Sequence, residues 1–275
     1  MTVIVDTPAL RRVLPTTGIH NFRDYGGYPV AGGGRLVRGR LFRSGEHAQA
    51  TEKDLDLVGT LGLKAVFDLR GAGERQRSTC RRPAGFEASV YAADGETAVA
   101  APHLEAATDA FDAATARRNM CERYATIPFR PLLLIVYRDY FRVLSELSAP
   151  TLVNCTAGKD RTGVLVALLQ TALGMHRDDI IEDYLLTNSA GDKEARIGAL
   201  KADLQRRFGA PMSDEAVRVV TSVEPAFLDS AFEAIQQRHG STENYLVDAL
   251  GITPERREGL KARLIVPATS AAHSI

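Results

Sequence analysis

What the sequence lacks narrows the field first. Cys80, Cys121 and Cys155 are the only cysteines among 275 residues, an odd number without framework spacing. A disulfide scaffold is therefore not expected. The cysteines and the six histidines form no metal-ligand pattern, so neither a metal nor another cofactor is expected. Neither charge sign is in excess, because Lys+Arg and Asp+Glu both total 34. Zero net charge without a long basic run argues against nucleic acid as a partner and against a membrane-surface patch. No apolar stretch approaches the roughly 20 residues of a membrane span. Leu132 to Val136, the longest candidate, is flanked by Arg130 and Arg138. Residues 1–10 carry Asp6 and Pro8 and lack the charged-then-apolar order of a secretory signal. No internal repeat is evident. The expectation is a cytoplasmic enzyme without stable membrane insertion, its oligomeric state open.

What is there is ordinary globular composition, 45% hydrophobic and 25% charged. One stretch organises the rest. Thr151 to Val153 is short and apolar, suited to a buried strand. Val164 to Leu173 is too long and too rich in Leu and Ala for a strand, and Gly174 is a helix stop. Between them lies Asn154-Cys155-Thr156-Ala157-Gly158-Lys159-Asp160-Arg161-Thr162-Gly163. The pattern predicts strand, tight loop and helix, with Cys155 at the strand end and Arg161 in the first helical turn.

Such a loop is an anion site. The N–H groups of a helix N-terminus have no intrahelical acceptors, and the helix dipole favours negative charge there. Gly158 permits the turn. Arg161 offers a planar fork for two phosphoryl oxygens. The same field favours a thiolate on Cys155, a reactive nucleophile, and Thr162 offers the sulfur a hydroxyl. The phosphate-binding set is Thr156, Ala157, Gly158, Lys159, Arg161 and Thr162.

Cys-x5-Arg-Thr between strand and helix resembles the signature of the cysteine-dependent phosphatases. Its local form is similar to the bacterial tyrosine/serine phosphatase group that includes the mycobacterial secreted phosphatase B. Asn21 to Gly27, Leu41 to Gly45, Val66 to Arg70 and Tyr245-Leu246 resemble that group's other motifs in type and order. The group usually has His before the nucleophile, and here Asn154 stands there. The resemblance implies an α/β fold: a mostly parallel sheet of four to five strands flanked by helices, with a helical C-terminal part. It implies one phosphatase domain over 18–266. Residues 1–17 read as a loosely held arm, and the small, polar tail of 267–275 reads as disordered. The implied reaction is metal-free phosphomonoester hydrolysis through a cysteinyl-phosphate. Implied substrates are phosphotyrosine and phosphoserine/threonine proteins and phosphoinositides. Some relatives leave the cell without an obvious signal.

The general acid has three candidates. Asp160 resembles the loop aspartate of the mycobacterial group and comes first. Asp68, at a predicted strand end, is the second, with an Asp68–Arg70 tie as its bland reading. Asp94 is the weakest, standing 61 residues before Cys155 (155 − 94). Lys159 either reads a second substrate phosphate or pairs with Asp160 or Asp68. Asn21, Arg23 and Asp24 read better as braces of a turn than as site residues. Arg43 either backs the loop or is a solvated strand end. Cys121 reads as incidental.

Other segments carry weaker signals. Arg35 to Phe42 reads as one strand, Leu63 to Leu69 as a buried parallel strand, and Phe86 to Ala92 as another. Thr51 caps a helix closed by Gly62. Gly71 to Gly85 reads as loop, and 96–126 as one surface helix. Leu132–Leu147, Asp178–Leu186, Lys193–Phe208, Met212–Val223, Pro225–His239, Asn244–Leu250 and a segment after Thr253-Pro254 read as helices. Either 96–126 or 190–223 is a candidate lid, with plain packing helices as the alternative. Two other classes compete: a rhodanese-like sulfurtransferase, and a catalytically silent phosphate-binding module.

Overall fold

The computed structural model describes residues 12–97, 112–191 and 213–267, with a few positions between 194 and 202. Most of the expected arm, the tail after 267, and much of both candidate lids lie outside the described residues.

Seven strands are seen among these: β1 Arg23–Asp24, β2 Arg35–Leu36, β3 Leu41–Ser44, β4 Ala65–Asp68, β5 Ser89–Tyr91, β6 Thr151–Asn154 and β7 Ile265–Val266. Five form one sheet in the order β1-β3-β6-β4-β5. β3, β6, β4 and β5 run parallel, and β1 is antiparallel to β3 at the edge. β6 lies in the middle with all four residues buried. Alternation sends Val153 and Phe67 into one core and Leu152 and Val66 into the other. Ser44, Asn154 and Asp68 fall in register at the C-terminal ends of β3, β6 and β4. In open α/β sheets that edge is where ligands bind.

The α-helices bounded within the described residues are α1 Glu52–Thr60, α2 Ala72–Arg77, α3 Ala113–Thr126, α4 Pro131–Glu146, α5 Asp160–Ala172, α6 Arg177–Leu185, α7 Asp214–Thr221, α8 Pro225–His239, α9 Thr242–Asp248 and α10 Pro254–Leu264. Thr51 caps α1 in a reciprocal capping box with Asp54. α5 is buried on nearly every side, as its Val164 to Leu169 run requires. Tyr137, Tyr140 and Phe141 of α4 are fully buried in the core beside it.

Four expectations need correction. Arg35 to Phe42 is not one strand. β2 pairs with β7 in a separate two-stranded sheet, and β3 joins the main one. Leu36 and Leu41 are both fully buried. Being an odd number of residues apart, they would face opposite sides of a single strand, so the chain turns between them, at Gly39 (φ +72°). Gly71 to Gly85 is not all loop, since α2 forms there with no buried residue and hence no apolar period. The 96–126 segment is not one surface helix. Asp112 accepts the Thr115 N–H at 2.7 Å, which starts α3 at Ala113. Ala116, Met120 and Tyr124 are buried, and the Tyr124 ring lies 5.7 Å from that of Phe227 in α8. Finally, residues 13–17 are not loose. Leu14 N–H donates to the Phe22 carbonyl, and Thr17 and Gly18 N–H groups donate to the Asp54 carboxylate.

Candidate active site

The loop between β6 and α5 curls around the sheet edge as its sequence requires. Gly158 takes φ +65°, and a Cβ there would come within 2.3 Å of the Ser44 backbone. Only glycine fits on both counts. Cys155 is buried at the mouth of the loop, and Arg161 lies in the first turn of α5.

The loop is held by its carbonyls. Glu46 N–H donates to the Thr156 carbonyl at 3.1 Å. Asn21 Nδ2 and Arg43 Nη2 donate to the Gly158 carbonyl at 2.6 and 3.0 Å. In a trans peptide the N–H points opposite to the C=O. Anchoring these two carbonyls therefore aims the Ala157 and Lys159 N–H groups the other way, away from the three donors. Asn21, with φ +57°, and Arg43 are parts of the loop's support. Beneath them Arg23 and Arg43 share the fully buried Asp183 of α6, at 3.0 and 3.1 Å. Burial works against the Asp183 charge, but the two guanidiniums hold its carboxyl below the usual range. Asp24 accepts the Gly26 and Gly39 N–H groups and fixes the turn.

Arg161 is held end-on. Its Nη1 and Nη2 donate to both oxygens of Glu74 at 2.6 and 2.7 Å. Nη1 also reaches the Leu69 carbonyl and Thr97 Oγ1. Its Nε is buried without a partner among the described residues. Burial alone would disfavour the Glu74 carboxylate, but Arg161, Thr156 and the Gly71 N–H outweigh it and hold the carboxyl near 2. Sequence reasoning missed Glu74. The one available signal was the spacing of Gly71 and Glu74, which matches a helix cap with a glutamate three residues on.

Asp160 is buried. Burial pushes its carboxyl up, but Lys159, Arg123 and the Tyr124 hydroxyl (2.8 Å) win and hold it at about 2. Lys159 Nζ donates to the same carboxylate. Tyr184 hydroxyl in turn donates to that of Tyr124 at 2.7 Å. Asp68 is gripped by Arg70, through Nε, Nη2 and the backbone N–H, and by Asn154 Nδ2 at 3.2 Å. That is the bland reading of Asp68, a carboxylate that ties the loop, and it gives Asn154 a neutral partner role. Asp94 is fully exposed and stands 4.0 Å from Arg75. Thr162 hydroxyl is buried and makes no hydrogen bond among the described residues, so its contact with the sulfur is not made in this state. Tyr245 is core, donating to the Pro128 carbonyl at 2.6 Å.

Among the described residues no group of His, Cys, Asp and Glu is arranged to hold a metal ion. No described helix is long and apolar enough to cross a membrane.

Comparison with known proteins agrees with this geometry. The family described as the tyrosine phosphatase family matches residues 14–266. A Cupriavidus necator protein that carries a provisional tyrosine-protein phosphatase name is 35% identical over 251 residues, 88% of this chain and 85% of its own. The triple specificity protein phosphatase PtpB of Mycobacterium tuberculosis is 33% identical over 271 residues, covering 86% and 93%. A tyrosine-protein phosphatase of Nostoc commune is 24% identical over 245 residues, covering 81% and 73%. A match over nearly the whole chain, on a parallel sheet whose central strand ends in Cys155 and an arginine-bearing loop, places the chain in the tyrosine phosphatase family.

Proposed function

We propose that the protein hydrolyses phosphomonoesters without a metal, through a cysteinyl-phosphate on Cys155. The observation that carries this is the loop of 156–161: its Thr156 and Gly158 carbonyls are tied back, and Arg161 closes it beside the sulfur's strand end. In the first step the Cys155 thiolate attacks phosphorus in line, and the P–O bond to the leaving group breaks. Loop N–H groups and Arg161 Nε stabilise the equatorial oxygens. In the second step water attacks the same phosphorus and the thiolate departs. Phosphotyrosine, phosphoserine/threonine and phosphoinositide esters are the proposed substrates, and the domain is proposed to span 18–266. The sulfurtransferase reading is weaker because it does not need an arginine so placed, and the silent-module reading is weaker because Cys155 and Asp160 stand beside that arginine. The test is phosphate release from a phosphotyrosine peptide, a phosphoserine peptide and phosphoinositides in EDTA. Acid-quenched labelled enzyme should carry phosphate on Cys155. Loss of turnover in EDTA that added metal restores would reject the scheme.

Asp160 is proposed as the acid, with Asp68 and Asp94 set aside for their placement. With Lys159 against it, Asp160 is ionised at neutral pH. An arriving phosphate dianion draws Lys159 and adds negative charge, and both effects raise the carboxyl. Acid catalysis contributes about 10²–10⁴-fold. Asp160→Asn should therefore cost about that much on alkyl phosphates and less on nitrophenyl phosphate, whose leaving group needs no proton. In wild type, kcat on the alkyl ester should fall as pH rises through the Asp160 pKa of the complex. The variant should lack that limb. Equal losses on both substrates would sink the assignment.

Glu74 is proposed to position Arg161. Glu74→Gln keeps one acceptor and loses the charge. Charge-assisted hydrogen bonds contribute about 1.5–3 kcal/mol, so kcat should fall on the order of 10–100-fold. A change in KM with kcat intact would show that the pairing does not serve the transition state.

A further inference from the structure

Five arginines are buried among the described residues: Arg23, Arg43, Arg70, Arg130 and Arg161. Buried charges are ordinarily paired. Four of the five are. Arg23 and Arg43 share Asp183, Arg70 has Asp68 and Glu46, and Arg161 has Glu74. Arg130 alone has no carboxylate among the described residues. Only 8% of it is exposed. Its Nη1 and Nη2 donate to the Thr97 carbonyl and to Thr126 Oγ1, at 3.3 and 3.0 Å. Its Nε is buried with no hydrogen-bond partner among the described residues.

Its charged neighbours are two cations, Arg123 and Arg161, and one anion of weaker effect, Asp160. Thr97 bridges the two guanidiniums, giving its hydroxyl to Arg161 and its carbonyl to Arg130. Arg130 therefore stands one residue away from the arginine that closes the phosphate loop. Burial first, and then the charges of Arg123 and Arg161, pull the Arg130 guanidinium down to about 10, and Tyr137 and Asp160 oppose them only in part. Two hydrogen bonds to neutral oxygens do not offset that repulsion. An anion brought to this place would.

We propose that Arg130, with the exposed Arg123 beside it, is a subsite for a second phosphate on the substrate. The group it fits is the ring phosphate adjacent to the scissile one in a phosphoinositide bisphosphate headgroup. Vicinal ring phosphates hang from two directly bonded ring carbons, which suits two guanidiniums tied to a single threonine. Phosphates on neighbouring peptide side chains stand farther apart. The proposal rests on the phosphatase reading above and deepens it: Arg161 Nε faces the cleaved phosphate, Arg130 Nε its neighbour. Arg130 is a specificity residue, not a catalytic one.

The test uses the full chain carrying Cys155→Ser, which keeps the loop. Calorimetry would measure binding of soluble inositol monophosphate, vicinal inositol bisphosphate, and a bisphosphate with the second group across the ring. The vicinal compound should bind at least tenfold tighter than the other two. Arg130→Met in the same background should bring the three within about threefold of one another, and Arg130→Lys should restore part of the preference. No vicinal preference in the parent overturns the subsite. So does a preference that survives Arg130→Met. Should Arg130→Met fail to fold, the parent's preference and the Arg130→Lys ratio decide. Turnover in the wild type is read separately. Normal release from monoesters without vicinal preference sinks the subsite alone. Vicinal preference without any turnover sinks the catalytic reading alone.

Discussion

Cys155→Ser will abolish phosphate release on every substrate while leaving the protein folded. Serine differs from cysteine by one atom, and Cys155 is a small buried group at the end of β6, so packing changes little. Reactivity changes greatly. A thiolate is by far the stronger nucleophile, whereas a hydroxyl without an adjacent base stays protonated. The adjoining residue is not a base. The preceding residue is Asn154, whose amide nitrogen is engaged by Asp68. Loss of a nucleophile in a related two-step scheme costs on the order of 10⁶-fold, and a loss of at least ~10⁴-fold is expected here. Binding of phosphate or vanadate should survive, because Arg161 and the anchored loop do not depend on sulfur. Retention of more than a few per cent of turnover would mean that Cys155 is not the nucleophile. Loss of anion binding together with turnover would mean that the loop itself had collapsed.

Asp183→Asn should give the largest loss of stability from a single isosteric change. Asp183 is the shared carboxylate of Arg23 and Arg43, all three of them buried. Removing its charge strands two guanidiniums in the interior. Breaking a buried pair by deleting one partner typically costs about 3–5 kcal/mol, and two partners are stranded here. A fall in Tm on the order of 10 °C is expected. Turnover should fall as well, because Arg43 then loses the anchor that holds it against the Gly158 carbonyl. The double variant Asp183→Asn/Arg23→Met removes one stranded charge and should recover part of the Tm, a non-additivity that a plain packing defect would not give. A single-variant Tm within about 2 °C of wild type would show that the network carries little stability.

Several parts of this molecule are written locally. The run into Cys155 and the run out of it differ in length and composition, and they fold as β6 and α5. Thr51 and Gly62 bracket α1, and Pro225 and Gly240 bracket α8, because capping and stopping are near-neighbour chemistry. Leu63 to Leu69 reads as buried because both its faces are covered, and β4 lies there. Other parts carry no local mark. α2 has no apolar stripe, so its pattern reads as loop, and what stabilises it is Glu74 reaching Arg161, 87 positions away. β2 and β3 look like one strand until burial of both Leu36 and Leu41 forces a turn.

The sequence by itself determined the loop, its cysteine and arginine, and the family, because those depend on residue types at fixed short spacing. Only the tertiary structure decided which charges meet. Asp183 under Arg23 and Arg43 and Glu74 on Arg161 are pairings across 87 to 160 positions, and Arg130 makes no ion pair among the described residues. The physical reason is that a buried charge is stabilised by whatever opposite charge the fold brings within about 3 Å. The spacing of residues along the chain does not state that distance.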